Sequence, residues 1–429
     1  MKNLLFITPH LGGGAGKAIS GLIQNITGFK CTVVMLEKPQ YEKYVEECKY
    51  SGAEIIITSA KNQIFDLAEK SDVVIYNWWA HPLSVDLIRE LGKAEVRLVI
   101  WSHINGLQYP ALTADFLDIF DSVMFTSPCS LNNPGFSDEQ KDRISTKCSY
   151  IYGFGDFHPD KIKYKNNYKI KKNLKIGYLG TMDFAKLNPE FPKICYEIRQ
   201  YIPDVEYILC GGYSQEFKAA YFADYPELQQ CTSFLGFVND PDEKMQLFDI
   251  FCYPLTKDNY ATTENALLEA MAAGLPVVVL SNPAEKEIVE NEVNGICTDE
   301  ISSFISETVA LSKDETKRQN LGIAARNTII NKYNVEINTK TFIQEIDKVL
   351  GIKKHRRDFK ACIGNDIWEN FLYFSGADRD KIINILQGEK STLPNIYYSE
   401  SKSSPRHYSK YFYCRQIDQL SKYNDDNLK

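Results

Sequence analysis

The chain has 429 residues, enough for two domains that each bury a core. Hydrophobic residues make up 44% and charged residues 24%, the balance of a globular protein rather than a disordered one. A net charge of -7 argues against broad nucleic-acid binding, which needs an excess of Lys and Arg along a phosphate-tracking surface. Eleven cysteines are scattered without Cys-x-x-Cys or Cys/His ligand spacing, and an odd count with no secretion signal fits a reducing cytoplasm. Cys31, Cys195, Cys210 and Cys252 sit inside apolar runs and read as buried thiols. No apolar stretch approaches the ~20 residues of a membrane span. The opening run MKNLLFITPH is too short for a signal peptide.

In chain order, the first half offers strands at Leu4–Thr8, Thr32–Leu36, Glu54–Thr58, Val73–Tyr76, Leu98–Ser102, Ser122–Thr126 and Cys148–Tyr152, with helical patterns between them. Such alternation predicts an α/β domain with a parallel, doubly wound sheet, over residues 1–160. The loop Gly12-Gly13-Gly14-Ala15-Gly16-Lys17 follows the first strand and opens a helix, so its backbone can approach a phosphate. A P-loop is excluded, because Leu11 stands at the leading glycine position and Ala18 replaces the magnesium-binding Ser or Thr. His10, Trp79 with His81, and His103 each follow a predicted strand, where functional groups of open α/β sheets gather. Trp78 and Trp79 serve either the core or a sugar face, with one of the pair expected in the core.

Residues 156–175 are rich in Lys and Asn with little apolar content and read as a solvated linker. The second half repeats the pattern, with strands at Lys175–Leu179, Glu206–Cys210, Thr232–Phe234, Ile250–Tyr253 and Val277–Leu280. A second doubly wound domain is therefore expected over 161–350. The segment from Thr262 to Leu280 reads as loop, helix, glycine stop and buried strand. Thr262 and Thr263 are expected to cap the helix, Gly274 to end it, and Val277–Leu280 to form a core strand. A helix start beside a polar loop, at Asn265, is an anion site suited to a diphosphate. Glu269 lies on the first turns, within reach of a ribose.

This stretch resembles the donor signature of the GT-B glycosyltransferases, in particular the large retaining family, group 1 or family 4, that uses nucleotide sugars. The resemblance implies two Rossmann-like domains, with an acceptor side in the first and a nucleotide-sugar site in the second. It implies that Glu269 binds the ribose. The family's second glutamate stands eight residues earlier, where this chain has Ala261, and the upstream acid is Glu264. Two tasks stay open for Glu264, contact with the donor sugar or support of the helix N-terminus. In KIGYLGTMDFAKLNPEF, Lys186 matches the family's diphosphate lysine, and Gly180-Thr181 occupy the place of its arginine. Gly13 and Gly14 correspond to the glycine-rich turn beside the donor. His103 matches a histidine that hydrogen-bonds the sugar or the leaving oxygen, and His10, Trp79 and His81 fall on the acceptor side.

The expected reaction moves a glycosyl unit from a nucleotide-diphosphate sugar to a hydroxyl of a glycan or lipid-linked acceptor, with retention. The resemblance extends this to cell-surface polysaccharide or glycoconjugate synthesis. No metal and no cofactor is expected, because helix dipole, backbone N–H groups and Lys186 can stabilise the leaving phosphate. Two alternatives stay open: a sugar-nucleotide epimerase of the same fold, and a non-catalytic relative that binds a glycan or partner. Residues 351–429 change in composition and read as a partly helical extension with many tyrosines. Its run KKHRRDFK is a solvated charge run or, with the tyrosines, a peripheral contact at the inner face of a membrane.

Overall fold

A computed structural model describes residues 1–169, 173–184, 186–257, 259–400 and 403–423. The chain divides into two compact units, the first formed by 1–156, 260–263 and 335–429, the second by 157–259 and 264–334.

The first unit is built on a seven-stranded sheet: β1 (Lys2–Thr8), β2 (Phe29–Met35), β3 (Glu54–Ile57), β4 (Val73–Trp78), β5 (Leu98–Ser102), β6 (Ser122–Phe125) and β7 (Cys148–Tyr150). All pairs are parallel, in the order β3-β2-β1-β4-β5-β6-β7. Side chains alternate across each strand, so Leu5 and Ile7 of β1 face one core and Leu4 and Phe6 the other. Helices cover both faces, which is why the central strands are continuous apolar runs. Phe342, on the helix Val335–Leu350, stacks on Phe6 at 6.3 Å, so this late helix closes one face of the first sheet.

The second unit holds a six-stranded parallel sheet: β8 (Lys175–Leu179), β9 (Glu206–Cys210), β10 (Thr232–Gly236), β11 (Ile250–Tyr253), β12 (Val277–Leu280) and β13 (Ile296–Thr298), ordered β10-β9-β8-β11-β12-β13. In both sheets the strand order reverses once beside the first strand, between β1 and β4 and between β8 and β11. Such switch points open a crevice at the strands' carboxyl ends. Gly211, with φ 138°, ends β9, and a Cβ there would sit 1.8 Å from the Gly180 carbonyl oxygen at the end of β8. Only glycine lets these two strand ends meet so closely.

Several expectations are corrected. Strand β13 has no counterpart in the sequence reading, because Ile-Cys-Thr is too short to show a period. β7 stops at Tyr150 rather than Tyr152, since the Tyr152 N–H bonds the Asn338 side chain at 2.7 Å instead of a strand. The linker lies partly outside the described residues, at 170–172, and elsewhere it is not merely solvated. Lys165 is buried against Asp249 at 3.5 Å, and Tyr168 donates to the Gly274 carbonyl at 2.8 Å. The run KKHRRDFK is solvated only in part, with Lys353, His355, Arg356 and Asp358 exposed. Arg357 is buried on Asp121, Lys360 pairs with Glu90, and Phe359 enters the core.

The extension packs within the first unit. Its helices Ile367–Phe374, Arg379–Leu386 and Arg415–Lys422 bury Phe371, Ile382, Tyr397, Tyr408 and Ile417 around Tyr109. Tyr109 stacks on Tyr397 at 4.1 Å and donates its hydroxyl to the Ser403 carbonyl. Among the described residues, no helix is long and apolar enough to cross a membrane.

The helix Gly13–Asn25 touches the backbone of 155–156 through Gly21, where a Cβ would lie 2.1 Å from the Asp156 nitrogen. Gly14 has open space around it. Gly21→Ala is therefore expected to cost about 1–3 kcal/mol by overpacking, whereas Gly14→Ala leaves stability nearly unchanged. Urea unfolding of the two variants checks this.

Candidate functional site

In the second unit, polar side chains gather at the switch point. Lys186 follows β8, Tyr253 ends β11, and Glu264 precedes the helix Asn265–Ala272. Lys186 Nζ lies 3.0 Å from Glu264 Oε2, and the Tyr253 hydroxyl donates to the same oxygen. The Glu264 side chain is 3% exposed, so these two donors replace the water it loses. Lys186 also sits over the Tyr253 ring, 5.6 Å from its centroid. The lysine is 22% exposed and keeps a solvent-facing side.

Glu285, after β12, is completely buried. Its Oε1 accepts from the Asn282 amide at 3.4 Å, and its Oε2 has no hydrogen-bond partner. Burial, and then the charge of Glu264, push its pKa up to about 8, so it holds a proton. Glu269 lies half-buried on the helix, and Asn265 opens it. Gly180, at φ 150°, and Thr181 follow β8, and Tyr178 donates its hydroxyl to the Thr181 carbonyl at 2.9 Å. Arg199 is committed elsewhere, to the Glu227 carbonyl and Gln230.

The capping role expected of Thr262 and Thr263 is not what the structure shows. Glu264 takes the cap position, with no side-chain cap bond. Thr126 donates its hydroxyl to Thr262 Oγ1 at 2.8 Å. Thr263 donates to the Thr126 carbonyl and accepts from the Gly153 N–H at 3.0 Å. Asn105 holds the Tyr260 and Ala261 carbonyls at 3.1 and 2.9 Å. Residues 260–263 are thus fastened to the carboxyl ends of β5 and β6, a tertiary competition that local propensity cannot reveal.

In the first unit, His103 follows β5, and its Nε2 lies 2.9 Å from Asn77 Oδ1. The Asn77 amide donates to the Ile7 carbonyl at 3.1 Å, which fixes its orientation. His103 therefore carries its proton on Nε2 and offers Nδ1 as an acceptor. Burial lowers its pKa to about 3, so the ring stays neutral. His81 caps the helix Pro82–Leu91, its Nδ1 accepting from the Leu83 N–H at 3.3 Å. Its Nε2 faces Glu37 Oε1 at 3.4 Å. His10 lies beside Trp79 and His81, with ring centroids 5.6 and 5.9 Å apart. Trp78 is core and Trp79 half-exposed, as one of the two was expected to be. Gly13, at φ 58°, and Gly14 open the first helix on the exposed side.

The sequence reading missed Tyr253, Glu285, Asn77, Glu37, His407 and Tyr411. A signal existed for Asn77, a polar residue inside a buried strand run, and for Glu37, which directly follows the strand expected at Thr32–Leu36. None existed for His407 and Tyr411, which arrive from the extension.

The raised pKa of Glu285 sets a pH dependence. The folded chain keeps a proton that the unfolded chain releases above its ordinary value of 4.5. Stability is then present below that value and is lost as pH rises toward the folded pKa, by at most about 1.4 kcal/mol per pH unit. Glu285→Gln, which needs no proton, should gain melting temperature over the parent between pH 5 and pH 8, and most at the upper end. Thermal unfolding across that range checks the sign.

Comparison with known proteins adds the following. Residues 173–314 match the family model described as Glycosyl transferases group 1. An Escherichia coli protein, the UDP-Gal:alpha-D-GlcNAc-diphosphoundecaprenol alpha-1,3-galactosyltransferase, is 26% identical over 152 residues, which cover 34% of this chain. The match spans 36% of that relative's length. Among solved structures, Anabaena HepE in complex with UDP and glucose superposes with a TM-score of 0.64 at 14% identity, covering 81% of this chain and 100% of its own. Sucrose-phosphate synthase from Thermosynechococcus elongatus gives 0.61 at 14% identity, covering 81% and 99%. The lipopolysaccharide outer core galactosyltransferase WaaB gives 0.60 at 14%, with the same coverages of 81% and 99%. Residues 173–314 thus carry the sequence pattern of the group 1 glycosyl transferases, and the two doubly wound sheets have the GT-B fold.

Proposed function

We propose that this chain is a retaining hexosyltransferase. It moves a sugar from a uridine-diphosphate donor to a hydroxyl of a glycan or lipid-linked acceptor, in the synthesis of a polysaccharide or glycoconjugate. The observation that carries the reading is the Lys186–Glu264 pair at the switch point of the second sheet, inside the segment that matches the group 1 family. The choice of uridine is supported by the UDP-Gal donor named for the Escherichia coli relative and by UDP in the HepE complex.

In the free protein Glu264 balances the Lys186 charge. A diphosphate that takes up the lysine releases the Glu264 carboxylate to accept from a donor-sugar hydroxyl. Backbone N–H groups at Asn265 and Thr181, with the helix dipole, add positive potential where the leaving phosphate gains charge, the Gly180 N–H being held by the Cys210 carbonyl at 2.9 Å. Glu269 accepts from the ribose hydroxyls. Thr262 and Thr263 act by holding the chain that leads into Asn265. Gly13 and Gly14 permit close backbone approach in the first unit. His103 accepts a sugar hydroxyl at Nδ1 as a neutral ring, and His10, Trp79 and His81 serve the acceptor. Front-face departure, assisted by the leaving phosphate, gives retention without a carboxylate nucleophile. No step in this scheme asks for a divalent cation.

UDP and UDP-hexoses should raise the melting temperature by several degrees near saturation, and ADP, GDP and CMP nucleotides should not. Glu269→Ala should abolish the shift. A flat response across the panel would favour the non-catalytic reading. Lys186→Met should lower kcat by about 10²–10³-fold, the usual loss for one donor to a developing oxyanion, while circular dichroism stays that of the parent. Proton NMR of the first product formed from an α-linked donor should show the α anomer, with turnover unchanged by EDTA. A β product would refute retention.

A further inference from the structure

The switch point of the first sheet holds a second cluster, and part of it comes from the extension. His10 follows β1, Glu37 follows β2, and Trp79 with His81 follows β4. The extension adds Tyr411, whose hydroxyl donates to Glu37 Oε2 at 2.8 Å, and His407, whose ring lies 4.6 Å from that of His81. Glu37 is thus held by one donor on each oxygen, His81 on Oε1 and Tyr411 on Oε2. Its side chain remains 28% exposed, so lone pairs are left for a ligand.

The extension also fixes the turn that presents Trp79. Ala80, at φ 54°, and Ser403, at φ 65°, are both in the left-handed region that non-glycine residues avoid. The Ser403 hydroxyl lies 2.7 Å from the Ala80 carbonyl and 3.2 Å from the Trp79 carbonyl, and the Tyr109 hydroxyl donates to the Ser403 carbonyl. Two strained residues are clamped face to face, which points to a required geometry at Trp79.

His10, Glu37 and His81 place ligand atoms within 4.8 Å of one another, a spacing that also suits a metal ion. The hydrogen bonds argue against that use. His81 Nδ1 accepts a backbone N–H, so its proton resides on Nε2, the atom that faces Glu37. Metal ligation at Nε2 would require that proton to leave and the helix cap to break. A donor on His81, an ionised carboxylate and a half-exposed indole instead match the hydroxyls and the apolar face of a sugar ring.

We propose that residues 403–411 of the extension complete an acceptor subsite for an uncharged pyranose, in which Glu37 accepts two ring hydroxyls and Trp79 packs against the sugar face. The inference rests on the glycosyltransfer reading for its biological sense, but the subsite stands on the first unit alone. The carboxylate repels phosphates and uronates, so it selects neutral sugars. Glu37 and Tyr411 are specificity-determining residues, and Ser403 is a positioning residue for Trp79.

The test is saturation-transfer NMR on the full chain with methyl glycosides of galactose, glucose and N-acetylglucosamine, against glucuronate and glucose 6-phosphate. Neutral glycosides should bind and the anionic sugars should not. Glu37→Gln should weaken binding at least ten-fold, and Tyr411→Phe several-fold, with both melting temperatures within a few degrees of the parent. Ser403→Ala should reduce the transfer from Trp79 while leaving Glu37 dependence intact. Binding of the anionic sugars as tightly as the neutral ones would overturn the proposal. So would binding that survives Glu37→Gln, or micromolar zinc binding that Glu37→Gln removes. The UDP thermal shift is run on the same samples. A UDP shift without Glu37-dependent sugar binding refutes the subsite and leaves the transferase reading. Glu37-dependent sugar binding without a UDP shift does the reverse.

Discussion

Every strand in both sheets runs parallel to its neighbours, and that constraint decides where chemistry can sit. Parallel strands send all their carboxyl ends to one edge, and crossover helices bury both faces. Loops at that edge can carry polar groups without ruining the core. In each sheet the order reverses once, so two neighbouring loops diverge and leave room between them. Lys186 and Glu264 flank that point in the second sheet, and His10 and Trp79 flank it in the first. The glycines at strand ends belong to the same logic, since Gly180 and Gly211 let the backbones of two loops touch.

Charges at these edges are held by partners before any ligand arrives. Glu264 has Lys186 and Tyr253, and Glu37 has His81 and Tyr411. A buried or half-buried carboxylate without such donors would take up a proton or turn to solvent. Glu285 shows the contrast, because it is sealed beside Glu264 with one weak donor and keeps its proton. Fixed donors and acceptors of this kind need little rearrangement when charge develops, which is what electrostatic catalysis requires.

The extension illustrates how a segment of polar appearance becomes structural. Arg357, in a basic run, is buried on Asp121, and Tyr397 and Tyr408 form a small core with Phe371 around Tyr109. Once anchored, the segment can place Ser403 and Tyr411 against the loop after β4 and the end of β2. Backbone strain at Ala80 and Ser403 persists because hydrogen bonds on both sides over-determine it.

Local pattern alone was enough to read the parallel α/β architecture, most of the strands and the helix that carries Glu269. Apolar runs of four to seven residues and a glycine stop at Gly274 depend only on neighbours in the chain. The strand-end positions of His10, Trp79, His81 and His103 followed from the same periodicity. Partnerships between distant residues were not legible. Thr262 and Thr263 read as a helix cap, yet their hydroxyls serve Thr126 and Gly153, more than one hundred residues away. Arg357 read as solvated, yet Asp121 pairs with it across |i−j| of 236. Sequence periodicity reports which face of an element is apolar. Which polar groups share a buried space depends on how elements far apart in the chain pack, and only the tertiary structure decides that.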